Sequence, residues 1–282
     1  MSVKNSQDAT ASQFPFFRRP GGCFSLMQSD NPREIKTNIT PNYKKNQVEC
    51  YPTQSTNRGT ALVINNIQFH NPRYFRSGAK KDEDDLNRVL TKIGFKVKIY
   101  RDQKSNDLIK TLKKYSKAIL GDICMVIVMS HGTNDGLPGG YTEVLCSDGK
   151  KISTDTVVDH FDESRNECLK GKPKIFIFQC CRSNTQVDAA LIKGNPTSKS
   201  NTLIAYSTIP GFSSHRDPKN GSRYIQTLCE VLDKYAHAYH MEDLLKIVGS
   251  ELIEMNDDSH KQVSCYENRG FCKKCYLNPM KN

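Results

Sequence analysis

The sequence predicts an α/β fold whose mainly parallel sheet is covered by helices on both faces. Several short runs are apolar throughout rather than alternating, as strands buried on both faces are. These runs alternate with stretches whose apolar residues recur at helical spacing. At 282 residues and 31.9 kDa, the chain can bury one large core or two small ones.

The elements follow in order. Residues 60–66 (TALVINN) read as a buried strand. A helix comes next, with Leu86, Val89, Leu90 and Ile93 on one face and acids in its first turns. Residues 96–100 form a second strand, and Ser105 is placed to N-cap a helix with Leu108, Leu112, Tyr115 and Ile119 on its apolar face. Further strands are read at 123–129, 174–178 and 203–206, and further helices at 222–235 and 241–255. Residues 1–57 are rich in Ser, Asn, Gln, Thr and Pro without periodicity, and read as a flexible tail. Residues 184–200 read as a long Gly/Pro-containing loop between two core strands, a length that points to function or cleavage.

Composition narrows the function classes. The longest apolar run, 123–129, is strand-sized, so no membrane partner is expected. The N-terminus lacks a signal-peptide core, so the eleven irregularly spaced cysteines are expected as reduced thiols in the cytoplasm. The net charge of +11 attracts anions. Basic blocks are short and Trp is absent, so a solvated basic surface is expected rather than a nucleic-acid site. Cys272-Lys273-Lys274-Cys275 has metal spacing without a second pair and reads as free thiols. Neither metal nor cofactor is expected.

Two strands run into reactive residues. The one at 123–129 leads into Ser130-His131-Gly132, and the one at 174–178 into Gln179-Cys180-Cys181-Arg182-Ser183. If both are parallel members of one sheet, His131 and Cys181 emerge at the same edge, where open α/β sheets carry their sites. A thiol beside an imidazole suits nucleophilic acyl transfer. The amides of Gly132 and Cys181 could then form an oxyanion hole.

The stretch around Cys181 resembles the pentapeptide at the nucleophile of caspases, and His131 lies 181 − 131 = 50 residues upstream, the spacing the family signature has. Arg58-Gly59-Thr60-Ala61-Leu62, Arg76-Ser77-Gly78, the segment 169–174, Ala205-Tyr206-Ser207-Thr208, Pro210-Gly211 and the segment 225–229 extend the likeness over residues 58 to about 260. The resemblance implies a caspase-like sandwich with a six-stranded sheet. It implies Cys181 as nucleophile, His131 as general base and acid, and Gly132 as oxyanion donor. Arg76, Gln179 and Arg216 would clamp the aspartate before the scissile bond, and the Ser214 backbone would run along the substrate chain. Two guanidinium groups and an amide suit a carboxylate.

The resemblance further implies a zymogen of effector type. It would have a large region at 58–188 and a small one at 189–282, with self-cleavage at Asp188 and tail removal at Asp30. Partners would be protein substrates cut after Asp, other caspases or their inhibitors, and a second copy in a homodimer. The implied role is an endopeptidase of apoptosis. The alternative is a catalytically weak, caspase-like regulator that binds other caspases.

The chain departs from the family pattern in several places. Cys180 stands where Ala is usual, and Ser183 where Gly is. Ser213, His215 and Arg223 stand where aromatic subsite walls are common, so apolar subsites are expected to be reduced. The final strand, 264–271, carries charges at its centre, where an apolar dimer edge is implied.

Overall fold

The computed structural model describes residues 48–134, 142–183, 191–192, 200–258 and 260–277. In chain order the first half holds β1 (Thr60–Asn65), α1 (Ala79–Ile93), β2 (Lys96–Arg101), α2 (Ser105–Ser116), β3 (Cys124–Met129) and β4 (Gly132–Asn134). Next come β5 (Thr142–Leu145), β6 (Lys151–Ser153), α3 (Thr154–Asp159), β7 (Lys174–Gln179) and β8 (Leu191–Ile192). The remainder holds β9 (Thr202–Tyr206), β10 (Arg216–Asp217), β11 (Gly221–Ser222), α4 (Arg223–Tyr235), α5 (Met241–Glu254) and β12 (Cys265–Arg269).

Six strands form the main sheet in the order β12-β9-β7-β3-β1-β2. All pairings in it are parallel except that of β12 with β9. Side chains alternate across each strand, yet in the four inner strands β9, β7, β3 and β1 both sides are buried, which is why those strands read as unbroken apolar runs, while the edge strand β2 alternates exposed and half-buried residues. Ala61, Val63, Met125, Ile127, Ile175 and Ile177 pack under α1, α4 and α5. Leu62, Ile64, Val126, Val128, Phe176 and Phe178 pack with α2 and α3 on the opposite face.

The structure corrects the sequence reading at several points. Ser105 does not cap α2; it is the first helical residue, the cap position is Lys104, and the Ser105 hydroxyl donates to Asp148 at 2.8 Å. Residues 48–57, grouped with the tail by composition, pack on the body. Tyr51 is buried, its ring lies 5.0 Å from Phe271, and its hydroxyl donates to Asn201 at 2.9 Å. Cys50 bridges to Lys274, and Thr53 Oγ1 donates to the Tyr276 carbonyl at 2.7 Å. A polar composition hid these two anchors, Tyr51 and Thr53.

A smaller sheet, β4-β5-β6-β8, was not read from the sequence. Its strands are two to four residues long, too short to show a period. Leu191–Ile192, within the segment read as a loop, pairs in parallel with β6. Asp30 and Asp188 lie outside the described residues.

The polar final segment does form a strand. Arg269 reaches Asp155 at the start of α3 and Glu267 on its own strand, both at 2.7 Å, so the charges neutralise one another. Tyr266 packs on the core of the other face. Among the described residues, no helix is long and apolar enough to cross a membrane.

Candidate active site

Parallel register sets the two reactive segments side by side. Met129, ending β3, pairs with Gln179, ending β7, and the Ser130 amide donates to the Gln179 carbonyl at 3.1 Å. His131 and Cys181 each follow these paired residues by two positions, at the carboxyl edge of the sheet. Gly132 opens β4 against the same turn. A β-carbon there would lie 2.8 Å from both Cys180 Cβ and the Cys181 carbonyl oxygen, and 2.7 Å from the Glu143 carbonyl. The close approach requires glycine, and it brings this backbone against that of Cys181.

His131 is flanked by the rings of Phe69 and Tyr74, with centroids 5.3 and 5.6 Å away. Its Nε2 lies 2.8 Å from the Tyr74 carbonyl oxygen. A carbonyl cannot donate, so Nε2 carries the proton and Nδ1 holds the free lone pair. Burial pulls the imidazole down to about 4; the Tyr74 carbonyl opposes this, while Arg76 and Arg216 reinforce it. His131 is therefore neutral at pH 7, the form a general base needs.

The Cys181 thiol accepts from the Ser214 amide at 3.4 Å and donates to the Ser214 carbonyl at 3.8 Å. Among the described residues, no hydrogen bond joins the Cys181 and His131 side chains. Contacts of this kind are often loose before substrate binds. Cys180 is fully buried, and burial lifts its thiol to about 12, which leaves it an inert filler.

Two guanidiniums and an amide lie near the thiol. Arg76 is completely buried, and its Nη1 donates to Asn65 Oδ1 and to the carbonyls of Asn66 and Met129 at 2.8–3.2 Å. Its Nε and Nη2 have no partner. Burial lowers this guanidinium to about 9, and nearby Arg216 adds to the effect; it remains a cation at neutral pH. Arg216 is itself lowered by burial and donates from Nε to the Ser77 carbonyl at 2.7 Å. Gly78, at φ 81°, allows this approach, because a β-carbon there would stand 2.3 Å from the Asp217 carbonyl. Gln179 is buried too; its Nε2 donates to Ser214 Oγ at 2.7 Å, and its Oε1 has no partner. The cations and amide predicted from sequence thus meet beside Cys181 with hydrogen-bonding capacity in reserve.

Sequence reasoning missed three contributors. The Tyr74 carbonyl orients His131, and a backbone atom leaves no signature in residue types. Asp82, on the first turn of α1, is raised by burial and accepts from the Ser222 amide and Gln226 at 2.8 Å. It is the carboxylate that faces both guanidiniums. Gln262 is buried behind Ser214; nothing in its neighbours' spacing marked it.

A family model, the caspase domain of the C14 peptidases, matches residues 58–276. Caspase-3 of Xenopus laevis is 31% identical over 279 residues, covering 93% of this chain and 93% of that protein. Caspase-6 of Gallus gallus is 31% identical over 262 residues, covering 81% of this chain and 83% of that protein. Caspase Dronc of Drosophila melanogaster is 29% identical over 265 residues, or 81% of this chain and 58% of that protein.

The chain belongs to the caspase family.

In this caspase domain Pro210-Gly211 is followed by an exposed Phe212 and then by polar residues. Ser213 is exposed, and the His215 ring meets His260 edge-on with centroids 5.1 Å apart. Arg223 Nη1 donates to the Met255 and His260 carbonyls at 3.3 and 3.4 Å, and its Nη2 lies 3.9 Å from Asp257. The residue after Cys181 ties this segment to the sheet edge. Arg182 lies over the Tyr206 ring at 4.1 Å and donates to Cys265 on β12 at 3.3 Å.

Proposed function

We propose that the chain is a cytoplasmic cysteine endopeptidase that cleaves peptide bonds after aspartate and acts in programmed cell death. The observation that carries this reading is the buried Arg76, with two partnerless donor groups, beside a Cys181–His131 pair. A buried cation short of partners gains most from a carboxylate, and the aspartate before the scissile bond supplies one. Arg216 and Gln179 complete the clamp, Gln179 by turning its amide from Ser214 to the ligand.

The chemistry then follows from the assigned protons. Nδ1 of His131 takes the thiol proton as Sγ of Cys181 bonds to the carbonyl carbon. The amides of Gly132 and Cys181 receive the oxyanion. The C–N bond breaks as the imidazolium returns its proton to the leaving amine. Water, deprotonated by the same imidazole, then releases the acid and restores the thiol.

The polar final strand leaves an edge on which a second copy could pair, and we read the active form as a homodimer of cleaved chains. The substrates would be proteins cut after Asp, and the regulators other caspases or their inhibitors. A second reading is a catalytically weak regulator, favoured by the polar walls at Ser213, His215 and Arg223.

Turnover of a fluorogenic tetrapeptide ending in Asp separates the two readings. The wild type should cleave it, Cys181→Ala should show none of that activity, and Cys180→Ala should retain most of it. Activity surviving in Cys181→Ala would mean the nucleophile is misassigned, and an inert wild type would favour the regulator.

A further inference from the structure

Behind the segment that faces the nucleophile, one side chain bonds three separate pieces of backbone and side chain. Gln262 is 1% exposed. Its Nε2 donates to the Ser207 carbonyl at 2.8 Å and to Ser214 Oγ at 3.3 Å, and its Oε1 accepts from the His215 amide at 2.9 Å. Its backbone is fixed in turn by Asn256: the Gln262 amide donates to Asn256 Oδ1 at 2.8 Å, and the Gln262 carbonyl accepts from Asn256 Nδ2 at 3.2 Å. Both polar ends of the amide are used, so its orientation is determined.

What Gln262 holds lies on both sides of the nucleophile. Ser207, just past β9, exchanges hydrogen bonds with the Cys180 backbone at 3.1–3.2 Å. Ser214 touches the Cys181 thiol through both its amide and its carbonyl, and takes the Gln179 amide on its hydroxyl. Without Gln262, the Ser214–His215 backbone would lose its rear support, and the buried Ser207 carbonyl would lose a partner. A lost hydrogen bond weakens the packing, and a buried polar group left without a partner weakens it further.

We propose that Gln262 is a positioning residue for substrate capture. It sets the height and tilt of the Ser214–His215 backbone, the rail along which the substrate chain lies. This role rests on the peptidase reading above. Gln262 touches no reacting atom, so it acts on binding of the peptide backbone before the scissile bond rather than on bond cleavage.

The test compares wild type and Gln262→Ala on two substrates, a tetrapeptide ending in Asp and an acylated single Asp with the same leaving group. Only the longer one uses the rail. Gln262→Ala should raise KM for the tetrapeptide about tenfold, the equivalent of one lost buried hydrogen bond, with kcat changed less than about threefold. The single-residue substrate should be nearly unaffected, so the advantage of the longer peptide shrinks. Alkylation of Cys181 by iodoacetamide should keep its wild-type rate.

Where the alanine variant fails to fold, Gln262→Asn replaces it. Its amide keeps donor and acceptor but reaches one methylene less far, and should show the same split at smaller size. An unchanged tetrapeptide KM in an active variant overturns the role. So does an equal loss on both substrates, which marks a merely structural residue. A wild type inert on both substrates overturns the peptidase reading instead, and this role with it.

Discussion

His131 shows how far a single side chain can be argued. Its folded value of about 4 lies below the ordinary 6.5, because burial disfavours the cation. Activity that needs neutral imidazole should therefore hold through mildly acidic pH, and kcat/KM should fall near 4 rather than near 6.5. The same shift has a stability consequence. Between 6.5 and 4 the unfolded state binds the proton that the folded state refuses, so this contribution is complete above 6.5 and is lost as pH falls to 4. A pH profile of kcat/KM checks the first point; an acid limb centred near 6.5 would contradict the assignment. At this scale the sequence was legible where chemistry resides in side-chain type. Cys181, His131, Arg76, Gln179 and Arg216 were all named from their motifs, and the structure groups them. Tyr74, Asp82 and Gln262 were not, since their parts depend on a carbonyl position or on contacts far apart along the chain.

Among the elements, the inner strands are readable as unbroken apolar runs because both their faces are buried, and the amphipathic helices by the helical period that one buried face imposes. The strands β4–β6 and β8 were not, because two to four residues carry none. β12 was read as poor from its charges; the Arg269–Asp155 pair that neutralises them spans 114 positions and cannot be seen locally. The segment from Pro210 to Arg223 is where element and specificity meet. In the proposed peptidase, Ser213, the His215–His260 pair and Arg223 would give the distal subsites a polar lining. Apolar side chains two and four positions before the cut should therefore gain little from burial, while an acidic distal residue finds Arg223 nearby. A positional peptide library should show weak apolar selection at both positions; strong apolar selection four residues before the cut would refute this lining.

For the whole molecule, we propose that activation proceeds by a cut in the segment that joins the strand before Cys181 to the strand leading to Arg216. Thr185-Gln186-Val187-Asp188 precedes two alanines, a sequence suited to an enzyme that cuts after Asp. Leu191–Ile192, three residues further on, is held on the small sheet that also carries Gly132, so a cut at Asp188 would leave its new end close to an anchored strand. Expression of the wild type should yield a fragment ending at Asp188 and another beginning at Ala189, with later loss of the tail at Asp30, while Cys181→Ala stays whole. Intact wild type would argue against self-processing, and cleavage of both would assign the cut to another protease. The basic balance of +11 has no part in this scheme beyond its general pull on anions.

The central claim is that a carboxylate is read by Arg76, Arg216 and Gln179 next to a Cys181 nucleophile. It is tested most directly by kcat/KM for two tetrapeptides that differ only in Asp or Asn before the scissile bond. An amide in place of the carboxylate would forfeit charge-assisted bonds from the buried Arg76 and the half-buried Arg216, a loss of about 2–5 kcal/mol, or roughly thirtyfold and more. The wild type should show that preference for Asp, and Arg76→Gln should lose it; equal cleavage of the Asp and Asn peptides by the wild type would contradict the clamp.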